Sequence, residues 1–184
     1  LYEDPGETWR YGWSTDLLAR IVEVVSGATF DVYLENEIFK PLGMLNTNFL
    51  SMETNQKSIA EVYSKENGNL VHIVEPRSNP LDWTPGSSGL VSSAPDYMRF
   101  ALMLWNQGTY NGIKILSPES IGLMTQTHVK EGVLVGQVEG VGFGLGVGVV
   151  IDSEKSVSVD RDGDFWWSGF YGTHFFVSPQ TNLV

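Results

Sequence analysis

Near the start of the chain a phenol stands between two indoles, in "WRYGW" (Trp9–Trp13), immediately ahead of an amphipathic stretch. Two readings are open for Tyr11. It is a packing residue, part of a hydrophobic staple in front of a helix, or it is one half of a proton-transfer pair. Near the other end "FWWSGFYGTHFF" places Ser168 and Gly169 within a run of aromatic residues. Other chemical signatures are missing. The chain has no Cys, which excludes disulfides, thiolate metal sites and a Cys nucleophile. His72, His128 and His174 are scattered without H-x-x-x-H spacing, so no zinc site is expected. His174, within the aromatic run, reads as a packed residue. There is no G-x-x-x-x-G-K-[ST] phosphate loop and no G-x-S-x-G elbow. Gly142, Gly144, Gly146 and Gly148 are spaced by two and never form G-x-G-x-x-G; they read as a strand packed closely on a helix. Asp162 and Asp164 flank Gly163 and read as a turn.

The elements that must position these residues follow from periodicity. Ser14 or Thr15 is expected to N-cap a helix with Leu17, Leu18, Ile21, Val24 and Val25 on its apolar face, ended by Ser26-Gly27. A second helix is expected over about Thr29 to Ile38, with Pro41 ending it. Residues 50–80 are polar, with a short hairpin at Asn67-Gly68. A Gly/Ser/Pro loop, "LDWTPGSSGLVSS", precedes a third helix that runs from Ala94 to Gly108. A short fourth helix starts at a Ser117 cap with Pro118 in its first turn. Beyond about Val133, "GVGFGLGVGVVID" and "FWWSGFYGTHFFVS" read as strands, separated by a polar loop. This gives a mostly helical region over 1–132 and antiparallel strands over 133–184, an α+β arrangement.

Composition narrows the function classes. The 42% apolar and 18% charged content is that of a globular chain rather than a disordered one. Twice as many acidic as basic residues, for a net charge of −11, argue against nucleic-acid binding and against an anionic membrane surface. The apolar runs are too short for a membrane span. The chain begins at Leu1 rather than a Met and stops within strand-like "HFFVSPQTNLV". It is therefore expected to be incomplete at both ends, its partners including missing N-terminal and C-terminal segments of the same protein. No compartment is read from such a start.

Four stretches, in order, resemble the serine β-lactamase-like hydrolases, which include class C β-lactamases, D-alanyl-D-alanine peptidases and related carboxylesterases. They are "DPGETWRYGWSTDLLARIVEVVSGATF…IFKPLGMLNTNF", "PGSSGLVSSAPDYMRFALMLWNQGTYNGIKILSPESIGLM", "GFGLGVGVV" and "WSGFYGTHFFVSPQTNLV". They cover Asp4 to Val184, with 50–80 and 150–163 poorly matched. The resemblance implies a serine β-lactamase-like fold and three cleft motifs. The second, Tyr-x-Asn or a relative, maps to Tyr11-Gly12-Trp13. The third, Lys-Thr-Gly or a relative on an edge strand, maps to Trp167-Ser168-Gly169. The first, Ser-x-x-Lys, carries the nucleophile and is expected before Leu1. No Lys in this chain has a Ser three positions earlier, and Thr127-x-x-Lys130 falls after the second motif, out of order.

By this resemblance Tyr11 is the catalytic base, and a Lys from the absent motif lowers the pKa of its phenol, ordinarily about 10. The backbone N–H of Phe170 serves the oxyanion hole. Trp13, Trp167, Ser168 and Gly169 line the substrate cleft, and Ser87-Ser88-Gly89 is a connecting loop that could border it. Trp13 stands where penicillin-recognising members have Asn, and Trp167 where they have Lys. An indole neither pairs with a substrate amide on both sides nor supplies a cation for a carboxylate. Both departures point to the carboxylesterase branch and a small-molecule ester substrate, with acyl-serine chemistry and no metal or organic cofactor. β-Lactamase or peptidase activity is the alternative, and a non-catalytic binding module on the same fold is another.

Overall fold

The computed structural model describes residues 3–50, 59–73, 83–156 and 161–184. The chain forms two compact units, one of Trp13–Asp96 and one of Leu1–Gly12 with Tyr97–Val184.

In the unit Trp13–Asp96, α1 (Ser14–Ser26) ends at Gly27 in the left-handed conformation, as its sequence predicts. The expected Ser14 or Thr15 cap is not the one used. Trp13 is the N-cap residue, with φ −80° and ψ 13°, and no side chain caps the helix. The backbone is already close to helical there, so Ser14 and Thr15 fall inside the first turn. Asp16, in that turn, is turned instead to the loop after Pro85. Its Oδ1 accepts the Ser87 N–H at 3.1 Å and the Ser87 hydroxyl at 2.9 Å. Gly86 allows this approach, since a Cβ there would overlap the Thr15 carbonyl and the Ala19 methyl. The helix thus buries Asp16 and Ala19, while Leu17, Leu18, Ile21, Val24 and Val25 are 48–81% exposed. The apolar stripe legible in the sequence faces outward.

The second helix is longer than its sequence suggests. α2 (Phe30–Leu34) continues through a π-helical turn, Glu35–Phe39, into α3 (Lys40–Leu42), so Pro41 lies inside the last turn rather than ending the helix. The stop is at Gly43, with φ 69°. The Met44 N–H bonds the Phe39 carbonyl and the Gly43 N–H the Lys40 carbonyl, a Schellman end with Phe39 and Met44 both buried. At the start of α2 the Phe30 N–H is accepted by the Glu23 side chain of α1. β1 (Asn48–Phe49) pairs with β4 (Leu90–Val91). β2 (Val62–Glu66) and β3 (Asn69–Ile73) form the expected hairpin, with Asn67 and Gly68 both left-handed as a type I′ turn requires. Asp96, 1% exposed, ties this region together. Its Oδ2 accepts the Asn46 N–H at 2.6 Å and the Thr47 hydroxyl at 3.2 Å.

The other unit holds α4 (Ala94–Trp105) beyond its first turn, α5 (Pro118–Met124) and most of the sheet structure. Ser117 caps α5 by accepting the Ser120 N–H at 3.1 Å. β5 (Thr109–Tyr110) and β6 (Ile113–Lys114) make a second Asn-Gly hairpin at Asn111-Gly112. The main sheet is fully antiparallel in the order β10-β9-β8-β7, made of β7 (Val141–Phe143), β8 (Gly148–Val150), β9 (Phe165–Ser168) and β10 (His174–Val177). Met103, Leu104, Ile121, Val150, Phe165 and Val177 form its core with the helices. Each of the two stretches read as strands is in fact a hairpin.

The alternating glycines divide by role. A Cβ at Gly144 would strike the Met124 carbonyl at the end of α5, as close strand–helix packing predicts, and one at Gly142 would strike the Thr127 side chain in the segment that follows the helix. Gly146, with φ +92°, belongs to the turn between β7 and β8.

Two outcomes are expected. Asp96→Ala strands the Asn46 and Thr47 donors and lowers stability by ~2–3 kcal/mol, read from urea denaturation. Gly144→Ala drives a methyl into the Met124 carbonyl and lowers it by ~1–3 kcal/mol, whereas Gly122→Ala, inside α5 and meeting nothing, raises it by ~0.5–1 kcal/mol.

Candidate active site

The segment carrying Tyr11 is irregular and is held by its own charges. The Arg10 guanidinium grips Glu3 through two bonds, Nε to Oε1 at 2.6 Å and Nη2 to Oε2 at 2.9 Å, and the Thr8 hydroxyl also donates to Glu3. Arg10 beside Glu3, helped by Thr8, holds that carboxyl below its usual range. Beyond Thr8 the fastening is aromatic. Trp9 packs on Phe143 at a centroid distance of 5.2 Å and edge-on to Trp167 at 6.2 Å; Phe143 meets Trp167 at 4.9 Å. The Tyr11 ring lies over Trp167 at 6.2 Å with an interplanar angle of 19°. The two sequence motifs at opposite ends of the chain therefore meet. Tyr11 rests on this aromatic floor and is 71% exposed.

Elsewhere in the same unit Tyr97 is wedged edge-on against Phe100 and tilted against Phe175, and burial pushes its pKa up to about 12.

The third motif ends β9 and opens the turn to β10. The resemblance implies an edge strand, but β9 lies between β8 and β10. The disagreement is resolved by register. β8 pairs with Phe165 and Trp166, so Trp167 and Ser168 run past it and, among the described residues, have β10 alone as a paired strand. The strand is internal where it enters the core and an edge where the motif sits. Alternation along β9 puts Trp167 on the face that carries Phe165, towards Tyr11, and Ser168 on the other. The Ser168 hydroxyl bonds Nδ1 of His174, directly opposite it, at 2.8 Å.

Gly169 leaves room for the Thr173 hydroxyl, which a Cβ there would displace. Its N–H bonds the Thr173 carbonyl at 2.8 Å, and the Gly172 N–H bonds the Gly169 carbonyl at 3.0 Å. Phe170 sits at the tip, 93% exposed, and no acceptor among the described residues takes its N–H. Trp13 belongs to the other unit, where it is the N-cap residue of α1 and 80% exposed. Ser87 is the residue that anchors its loop on Asp16.

Sequence reasoning missed Trp9 and Phe143 as the supports of Tyr11, and His174 as a partner of Ser168. Trp9 carries a signal in its spacing from Tyr11. Phe143 and His174 become visible only when the hairpin turns are placed. Among the described residues no group of His, Asp and Glu is arranged to hold a metal ion, and no helix is long and apolar enough to cross a membrane. A hollow of about 1130 Å³ in the unit Trp13–Asp96 is bordered by Arg20, Glu23, Phe39, Met44, Phe49 and Trp83, and includes no motif residue.

Comparison with known proteins places this geometry in a family. Protein Rv1367c of Mycobacterium tuberculosis (strain ATCC 25618 / H37Rv) is 33% identical over all of this chain and 49% of its own length. A putative D-alanyl-D-alanine carboxypeptidase of Escherichia coli (strain K12) is 28% identical over 65% of the chain and 31% of its own length. Among solved structures, EstCE1, a hydrolase with promiscuous acyltransferase activity, superposes with a TM-score of 0.84 at 25% identity, over 98% of this chain and 50% of that one. The chain thus spans about half the length of the first of these relatives and of EstCE1. The Beta-lactamase family profile matches residues 1–184. With its α+β serine β-lactamase-like fold, the chain belongs to the beta-lactamase family, whose members include serine hydrolases.

Proposed function

We propose that this chain is the part of a serine carboxylesterase that carries the base and one wall of the oxyanion hole, the nucleophile residing in the rest of the protein. The observation that supports it best is the stacking of Tyr11 on Trp167. It sets an exposed phenol beside the strand end from which the Phe170 N–H projects. In this reading the serine hydroxyl attacks the ester carbonyl and loses its proton to Tyr11. The oxyanion is received by the Phe170 N–H and the nucleophile's own N–H. Tyr11 then passes the proton to the leaving alcohol, and water, deprotonated by the same phenolate, releases the acid from the serine.

The ester preference rests on what Trp13 and Trp167 replace. A peptidase or β-lactamase of this family needs polar groups for an amide and a carboxylate. An indole at either position offers neither, and suits an uncharged acyl or alcohol group. Beyond Trp167, Gly169 keeps the backbone close.

The outward apolar stripe of α1 fits the same division. Leu17, Leu18, Ile21, Val24 and Val25 are covered, in this proposal, by the remainder of the same protein.

In the whole protein, p-nitrophenyl butyrate is hydrolysed, nitrocefin is not, and Tyr11→Phe lowers kcat by roughly 10²–10⁴ with KM little changed. Nitrocefin turnover without ester turnover would assign the site to β-lactams instead. A whole protein that turns over neither is a binding module. The 184-residue chain by itself is expected to be inactive on the ester and to bind the apolar dye ANS more strongly than the whole protein does; ester turnover by the chain alone would overturn the division of labour.

A further inference from the structure

The cross-strand pair Ser168–His174 is not used by the mechanism above, and the geometry points to a task for it. We propose that His174 is a positioning residue, which through Ser168 fastens the base of the turn 169–173 and so fixes the direction of the Phe170 N–H. The inference rests on the reading of Phe170 as an oxyanion donor.

Four observations carry it. First, among the described residues the end of β9 is paired on one side only, because β8 pairs no further than Trp166. Second, the turn that follows has two backbone bonds, Gly169 to Thr173 and Gly172 to Gly169, and neither involves Phe170. Third, Phe170 at the tip is 93% exposed, and its ring touches that of Tyr171 edge-on at 5.3 Å. Fourth, the last residue of β9 and the first of β10 are joined by side chains as well as by backbone register, Ser168 Oγ to His174 Nδ1 at 2.8 Å. This bond lies two residues from the Phe170 N–H.

The chemistry of the pair suits a fastening. A serine hydroxyl donates to Nδ1 when that nitrogen is bare and accepts from it when it carries the proton, so the bond survives either tautomer. The imidazole is steadied from its own face of the sheet by Trp166, whose ring centroid lies 5.7 Å away. The pair also occupies the face opposite Trp167. Its one link to the ring under Tyr11 that the ring contacts show runs through Trp166, which stacks on Trp167 at 5.8 Å.

A donor aimed at a developing oxyanion acts on the transition state more than on the bound ester. In the whole protein, His174→Ala and Ser168→Ala are each expected to lower kcat for p-nitrophenyl butyrate about tenfold with KM within about twofold, less than outright loss of an oxyanion donor. The double variant is no worse than either single one, because both remove the same link. His174→Asn, whose amide reaches the place of Nδ1, restores most of kcat. An independent readout is amide exchange at Gly169, which quickens at least about tenfold in both alanine variants if the turn opens locally. Unchanged kcat and unchanged Gly169 exchange in His174→Ala would overturn the proposal, as would additive effects in the double variant. If the unaltered protein does not hydrolyse the ester, the esterase reading fails, and Gly169 exchange alone then decides whether the pair fastens the turn. Should His174→Ala not fold, Ser168→Ala and His174→Asn carry the same comparison.

Discussion

The aromatic contact between Trp9, Tyr11, Phe143 and Trp167 is the constraint on which the rest of the site depends. These rings come from three places: the irregular start of the chain, the end of β7 and the end of β9. None of the three is positioned by its own local structure alone. The start has no helix or strand, β7 is three residues long, and the end of β9 has lost β8 as a neighbour. Offset and edge-to-face ring pairs add ~0.5–1.5 kcal/mol each beyond the area they bury, and here several share one cluster. The contact is what turns two short motifs at opposite ends of the sequence into one surface.

That surface needs close approach, and glycine provides it at chosen points. β7 comes within reach of Trp9 and Trp167 because Gly144 lets it press on the end of α5 and Gly142 on the segment that follows. Gly169 allows the turn after β9 to close on Thr173. A period-two run of glycines was readable as close packing on a helix, and that holds for Gly144 against Met124, while Gly142 packs on Thr127 in the segment after the helix. The run does not make one strand because Gly146 takes a left-handed φ and folds it back.

Much of the fold was legible. The Ser117 cap, the Gly27 stop and the Asn67-Gly68 hairpin follow from residues whose backbone preferences are strong and local. Misreadings arose where local preference met a tertiary demand. Asp16 was an acidic first-turn residue by sequence, but the loop at Ser87 claims its carboxylate, and with it the orientation of α1. Pro41 was a natural helix stop, yet a π-helical turn ahead of it lets the helix continue to Gly43. The position of Tyr11 ahead of its helix could be read from sequence, and so could Trp167-Ser168-Gly169. Their adjacency followed from the resemblance alone and not from periodicity, because the contacts that make it rest on Phe143 and on strand register. His174 looked like one more packed residue for the same reason: its partner is set by a turn of five residues whose length no periodicity reveals.

The order of the main sheet has a consequence of another kind. β10 has a strand beside it on one side only among the described residues, and it carries Phe175, Phe176 and Val177. An open, apolar strand edge is a template for pairing with another copy of itself, the more so as concentration rises. A net charge of −11 opposes that association by mutual repulsion between copies. The acidity of the chain therefore matters as colloidal protection as well as for the ligands it turns away.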